Sequence, residues 1–327
     1  MCTAINYKRQ NSKNLFGRTL DVVASYGEGV VITPRDHGFK MRSGEIISKH
    51  PAIIGAAVVK DGDPLYYDAA NEYGLSAAAL NFPISSVYNE PREDFCNVAS
   101  FELIRFVLSK CKNVDEARKL LLRTNVTSEA FSGTLEPTPL HWIISDAHNS
   151  IVAEPMAQGL VLNDDRFNVL TNEPPFEYHA KHVSLFANLT VGQPNGALAQ
   201  KTELYSNGMG AIGLPGDLSS VSRFVRAFFF NEYCESLPTK ADKNTEVERF
   251  FEVASKVTVP YGAVIDASGK KPFTVYTSCI DTSDMTYYFR TYGNPMIRAV
   301  RLSQKEANKK TLSVFSMDGE TGPEFLN

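Results

Sequence analysis

Apolar and polar positions alternate in short runs through the first third of the chain: CTAINY, GVVIT, IIGAAVV, PLYYDAA and LSAAALNF, each bounded by Gly, Pro, Asn or Asp. Runs of this length and period predict strands. The period then changes. In FELIRFVLSK the apolar residues Phe101, Ile104, Val107 and Leu108 recur at helical spacing behind Ser100, a candidate N-cap, and VDEARKLLLR repeats the pattern with an acidic first turn. Strands resume at LHWII, SIVAEP and FNVLTN; a further helical pair follows at SRFVRAFFF and EVERFFEVASKV; strands close the chain at VYTSC, MTYYFRTY, IRAVRL and TLSVFS. Strands and helices grouped in runs favour antiparallel sheets with segregated helices over an alternating parallel sheet. Two such sheets faced by helices make an α+β, four-layer αββα sandwich. No Pro/Ser-rich linker divides the chain, so residues 2 to 327 are expected to form one domain, with QKEANKK and the closing DGETGPEFLN at its solvated periphery.

Composition acts mainly by exclusion. With 43% hydrophobic and 21% charged residues among 327, the chain can bury the core of one large domain. Lys and Arg total 33 against 37 Asp and Glu, scattered without a basic patch, which argues against a nucleic-acid partner. No apolar run approaches the roughly 20 residues that cross a bilayer, and MCTAINYKRQ lacks the form of a secretory signal, so no membrane partner is expected. Cys2, Cys96, Cys111, Cys234 and Cys279 are odd in number, irregularly spaced and without a CxxC. That pattern predicts reduced thiols of a cytoplasmic protein and neither disulfides nor structural zinc.

Candidate chemistry gathers at the N-terminus. Cys2 is a small residue after the initiator, the condition under which Met1 is removed. A free α-amine, with an ordinary pKa of about 7.7 to 8.0, would then share a residue with a thiol of about 8.5, so one group can take the other's proton. CTAINY and LFGRTLD flank the polar KRQNSKN and read as an antiparallel hairpin. With Tyr7 opposite Leu15, Cys2 lies opposite Leu20, and Arg18 and Asp21 flank the thiol. A guanidinium lowers a thiol's pKa and a carboxylate orients an amine. The alternative reading of the same residues is a structural cysteine beside an exposed Arg/Asp pair on an edge strand. Strict alternation sends residues 18 and 21 to opposite faces, so the pleat must bend or end near Leu20 to bring both to Cys2.

MCTAI, FGRTLD, VITPR, NEYGL, LNFP, LHW, NVLTN and GLPGDLSSVSRFVR, in this order, resemble the choloylglycine hydrolase family of N-terminal nucleophile hydrolases, which holds bile salt hydrolases and penicillin V acylases. The resemblance spans nearly the whole chain. It implies the αββα fold, a homotetramer, no cofactor or metal, and conjugated bile salts as the small-molecule substrate. It further implies Cys2 as nucleophile, Arg18 and Asp21 as its electrostatic partners, Asn81 and Asn172 on the oxyanion side, and Arg223 as a second arginine, with Arg226 the lesser candidate. NEYGL followed by LNFP, with Asn81 in place, looks more like Gram-positive bile salt hydrolases than penicillin V acylases. The expected sterol pocket draws on Leu20 and Tyr26, on the stretch from Ile54 to Tyr66, and on the surroundings of Phe131 and Leu135. Thr19 and Glu173 stand where many relatives carry Asn, which leaves turnover and substrate preference open; Asn207 stands where close relatives carry Arg, which leaves the choice between glycine and taurine conjugates open.

Three other patterns are weaker. GMGAIG fits a dinucleotide-binding template, but Pro215 follows closely and no βαβ unit surrounds it. His179 and His182 in HAKH lie three apart, the spacing of a helical turn, but without an HExxH or a further cluster they read as surface or structural histidines. A papain-like pair drawn from the other cysteines and His37 or His141 has no recognisable signature.

Overall fold

The computed structural model describes residues 1–8, 14–133, 136–236, 243–319 and 321–322. The chain opens with β1 (Cys2–Lys8), β2 (Asn14–Val22) and β3 (Gly29–Thr33), the short pair β4 (Phe39–Lys40) and β5 (Ile46–Ile47), then β6 (Ile53–Lys60), β7 (Asp63–Asn71) and β8 (Ser76–Asn81). A short β9 (Cys96–Ala99) leads into α1 (Leu103–Lys110) and α2 (Val114–Leu121), and β10 (Thr124–Thr127) returns parallel to β9. Next come β11 (Leu140–Ser145), β12 (Ser150–Met156), β13 (Gly159–Asp164) and β14 (Val169–Leu170), followed by α3 (Phe176–His182), α4 (Ser220–Tyr233) and α5 (Lys243–Ser255). The last elements are β15 (Phe273–Asp281), β16 (Thr286–Thr291), β17 (Arg298–Arg301), α6 (Gln304–Ala307) and β18 (Ser313–Ser316).

Among the described residues two antiparallel sheets dominate, ordered β13-β12-β11-β8-β7-β6-β3-β18 and β14-β1-β2-β15-β16-β17. Strand alternation explains the layering. On β6, Ile54 and Ala56 point into the core shared with the second sheet, whereas Ile53 and Ala57 join the cluster beneath α1 and α2. On the far side α4 and α5 lay Phe224, Phe250 and Phe251 against the second sheet. Helix pair, sheet, sheet, helix pair is the sandwich that the grouped pattern predicts.

Local departures have local causes. Ser100 does not cap α1; it sits in a 3-10 turn over Ser100–Glu102, and the Glu102 carboxylate accepts from the Ala99 N–H at 3.4 Å instead. QKEANKK is not merely peripheral, because Gln304–Ala307 forms α6 and Ala307 is buried, its carbonyl accepting from the Arg35 N–H at 3.0 Å. Residues 9–13 of the hairpin turn lie outside the described residues, as do 320 and 323–327 of the closing segment.

Candidate active site

The β1–β2 ladder pairs Tyr7 with Leu15 and Cys2 with Leu20, the register expected from the hairpin. Cys2 is only 3% exposed, yet it forms part of the wall of a cavity of about 620 Å³ together with Arg18, Leu20 and Asp21. The bend required near Leu20 comes from the neighbouring strand. Between Thr274, which faces Asp21, and Tyr276, which faces Leu20, the β15–β2 register slips by one residue. A bulge of this kind increases the local twist and re-aims side chains. Both Arg18 and Asp21 therefore reach the cavity.

Arg18 is no exposed partner on an edge strand; β2 is interior and the side chain is 1% exposed. Its Nε donates to Thr19 O at 3.2 Å, and its Nη1 donates to Tyr67 O at 3.1 Å and to Ala79 O. Tyr67 is the extra residue of a second bulge, between β6 and β7, which leaves its carbonyl outside the ladder and available to a guanidinium. Nη2 has no hydrogen-bond partner among the described residues. Burial opposes the charge on Arg18, but Cys2, Tyr276, Asp68 and Asp21 outweigh burial and raise its pKa above the ordinary arginine value.

Asp21 is equally buried. Its Oδ1 accepts from Thr274 Oγ1 at 2.7 Å and its Oδ2 from Thr19 Oγ1 at 3.2 Å, so Thr19, unusual by resemblance, is a support for the carboxylate. Burial raises the pKa of Asp21, and Arg223, the chain's terminal amine, Thr274 and Arg18 pull it back. Met1 occupies the same corner: its ammonium donates to Asp21 O at 2.9 Å, and the Asp21 N–H donates to Met1 O at 3.1 Å.

Behind the Cys2 main chain lies a second group. The Cys2 N–H donates to Asn172 Oδ1 at 2.7 Å, and Arg223 Nη2 donates to the same oxygen at 2.8 Å. Arg223 Nη1 also donates to Cys2 O at 2.5 Å and to Thr3 Oγ1 at 2.6 Å. Asn172 Nδ2 donates to Asn81 O at 2.8 Å, leaving one N–H of that amide uncommitted, while the exposed Asn81 side chain lines the cavity. Burial lowers the pKa of Arg223, with Asp21 and Cys2 opposing it. Arg226 is turned elsewhere, donating to Lys256 O at 3.0 Å and Pro215 O at 2.8 Å.

The strand end that carries Asn172 is buttressed from outside the cavity. His179 Nε2 meets Asn172 O at 2.9 Å, and His141 bridges Thr171 O at 2.8 Å to Glu154 Oε1 at 3.1 Å. Both imidazoles are thus committed to the scaffold, which removes His141 from the papain-like reading. Burial pushes His179 down to about 4, so it stays neutral. Glu173 accepts from the Ile84 and Ser85 N–H groups and from Ser85 Oγ, each at 2.8 Å, tying the loop after Asn81 to the residue after Asn172.

Leu20, Tyr26, Tyr66 and Phe131 all line the cavity, and Leu135 lies outside the described residues. Of the stretch from Ile54, Val58, Lys60 and Leu65 reach the wall, while Ile54 itself is core. Sequence reading missed Val22, Tyr67, Phe101 and Leu140 as wall residues. Phe101 was legible only as a helix position; its ring meets Phe131 edge-on at 5.3 Å under the Arg42 guanidinium. Among the described residues no group of three His, Cys, Asp or Glu is placed to hold a metal ion, and no helix is long and apolar enough to cross a membrane. GMGAIG forms a short 3-10 turn after Gly208.

Comparison with known proteins agrees along the whole chain. The model of the linear amide C-N hydrolases, choloylglycine hydrolase family, matches residues 2–315. The chain is 38% identical to the bile salt hydrolase/transferase of Lactiplantibacillus plantarum over 98% of each. It is 33% identical to a conjugated bile acid hydrolase of Lactobacillus acidophilus, over 96% of this chain and 100% of that one. A crystal structure of a variant of conjugated bile acid hydrolase from Clostridium perfringens superimposes with a TM-score of 0.90 at 27% identity, covering 100% of both chains. With a buried thiol at its second residue, the sandwich around it and this match from residue 2 to residue 315, the chain belongs to the choloylglycine hydrolase family of linear amide C-N hydrolases.

Proposed function

We propose that this protein hydrolyses the amide bond of glycine- or taurine-conjugated bile salts, with Cys2 as an N-terminal nucleophile once Met1 has been removed. One observation carries the reading: Cys2 lines a cavity of about 620 Å³ together with Arg18 and Asp21, the rest of its wall drawing on Leu20, Val58, Leu65, Phe101, Phe131 and Leu140. A largely apolar site of that volume suits a rigid steroid acyl group. The names of the relatives, bile salt hydrolase/transferase and conjugated bile acid hydrolase, support the same substrate class.

In this mechanism the Cys2 amine takes the thiol proton, and the thiolate, stabilised by Arg18, attacks the amide carbonyl carbon. The C–S bond forms as the carbonyl pair moves onto oxygen, where the Asn81 amide and the uncommitted N–H of Asn172 serve as donors. The intermediate collapses by breaking the C–N bond; the Cys2 ammonium protonates the departing glycine or taurine nitrogen and a thioester remains. Water then gives a proton to the amine and adds to the thioester, releasing the bile acid and restoring the thiol.

Two further parts of the reading rest on other observations. The family resemblance supports a homotetramer, and exposed Leu185, Val191, Leu198, Tyr205 and Ile212 offer apolar surface for self-association. Five free thiols support residence in a reducing cytoplasm. Light scattering should give four times the 36.2 kDa chain mass. For the activity, purified protein is incubated with glycocholate, taurocholate and penicillin V. Release of glycine or taurine, abolished in Cys2→Ala, is expected; cleavage of penicillin V with both conjugates untouched would reassign the substrate.

A further inference from the structure

Asp68 takes no part in the chemistry above, yet it is buried on β7 and faces the opposite sheet. Three hydroxyls from the opposite sheet converge on it: Tyr276 Oη reaches Oδ1 at 2.6 Å, while Tyr287 Oη and Ser278 Oγ reach Oδ2 at 2.8 Å and 3.0 Å. Ser278 Oγ also accepts from the Arg18 N–H at 3.2 Å, and the residue preceding Asp68, Tyr67, gives its carbonyl to Arg18 Nη1. The backbone is shaped to bring these groups together. A Cβ on Gly55 would fall 2.2 Å from Asp68 O, and one on Gly17 would fall 2.0 Å from Ser278 O, so both strand contacts require glycine.

A carboxylate is a poor fastener for two sheets, since well-packed apolar side chains join them without the desolvation that burying a charge costs. Its surroundings give it another use. Asp68 and Cys2 both act on the charge of Arg18, whose Nη2 has no hydrogen-bond partner among the described residues.

We propose that Asp68, held by Tyr276, Tyr287 and Ser278, is a positioning residue that serves as the standing counter-charge of Arg18 and so limits how strongly the guanidinium acts on the Cys2 sulfur. Without it, Arg18 would favour the thiolate more strongly, and a thiolate so stabilised is a weaker nucleophile. Other charges bear on the two groups as well. Cys2 acts on Arg18 from β1, Arg223 on α4 and Tyr67 on β7, and carries its own amine; Asp21 lies beside it on β2. Burial raises the Asp68 carboxyl, with Arg18 and the three hydroxyls opposing it, and burial pushes Tyr276 and Tyr287 well up, so both phenols remain neutral donors.

The inference rests on the reading of Cys2 and Arg18 above, and its test follows the sulfur instead of turnover. The rate at which 2,2′-dipyridyl disulfide modifies Cys2 is measured against pH, with the site identified by peptide mass, in the parent, Asp68→Asn and Tyr287→Phe. In Asp68→Asn the half-point should move to lower pH by about one unit. The plateau rate above it should fall about threefold. Tyr287→Phe, which removes one donor and no charge, should shift the half-point less and in the same direction. Exposed Cys96 is the internal control, and its profile should not move. Coincident Cys2 profiles in the parent and both variants would overturn the inference; if Asp68→Asn does not fold, Tyr287→Phe alone decides. Amide cleavage surviving in Cys2→Ala would sink the underlying reading, an outcome distinct from coincident labelling profiles.

Discussion

The main-chain nitrogen of Cys2 is held by the side-chain oxygen of Asn172 at 2.7 Å. That oxygen has two lone pairs, and Arg223 Nη2 takes the other. Both neighbours are obligate donors, which fixes the sense of the amide and turns its NH2 toward Asn81 O. After loss of Met1 the same contact would hold an amine by one N–H, leaving its lone pair directed away from Asn172 and free to take the thiol proton. Asn172→Ala should therefore lower kcat by roughly 10²- to 10³-fold. KM should change little, because a donor aimed at the oxyanion acts in the transition state and hardly on the bound substrate. Glycine release from saturating glycocholate reads kcat directly.

A retained Met1 makes the opposite case. In that form the Cys2 nitrogen is a peptide N–H, without a basic lone pair, and Met1 fills the corner beside Asp21. A chain engineered to keep one residue ahead of Cys2 should lose at least about a hundredfold in activity, the scale of a missing general base. Peptide mass after thiol labelling should show that Cys2 still reacts. Full activity in a protein whose mass proves the extra residue would exclude the amine as base.

The hairpin was readable because its information is local: alternation, a polar turn and one pairing fix the register from Cys2 to Leu20. The two bulges that aim Arg18 and Asp21 were not, since each is set by a strand remote in sequence, β15 for one and β6 for the other. The Asn172 amide shows the same divide. Its place in the site followed from the resemblance, whereas the commitment of its oxygen to Cys2 and Arg223 is tertiary. α3 was legible only as a helical turn at HAKH, because Pro174 and Pro175 precede a short polar run, and only burial of Phe176 and His179 marks its inner face. Asp68 carried no signal at all, for its partners lie some two hundred residues downstream.

Gly17→Ala tests the packing on which the site stands. The added Cβ would lie 2.0 Å from Ser278 O and 2.9 Å from Cys279 Cα, both main-chain atoms with no rotamer to relieve them. Strands β2 and β15 must separate to admit it, and the Arg18 N–H to Ser278 Oγ contact lies one residue on. Overpacking of this kind costs about 1 to 3 kcal/mol. The urea midpoint should fall accordingly with an unchanged m-value. An unaltered midpoint would mean that the two strands yield without strain.

His179 gives stability a pH dependence with a defined sign. Burial pushes its pKa down to about 4, below the 6.5 of an unconstrained imidazole, so the unfolded chain binds the proton first as the medium becomes acidic. The stability it contributes is present above pH 6.5 and is lost as pH falls toward 4, by up to about 3 kcal/mol. Buried Asp21 and Asp68 tilt the other way, because carboxyls raised by burial contribute less as pH rises. The test is therefore the difference between the parent and His179→Gln, which keeps a donor for Asn172 O and cannot titrate. Urea unfolding at pH 6.5 and at pH 4.5 should show the parent losing ground to the variant on acidification. A difference that stays constant over that window would mean His179 binds its proton equally well in both states. The same proton would place an imidazolium near Arg223 and against the main chain of Asn172, so amide cleavage should fail over the same range before the fold is lost.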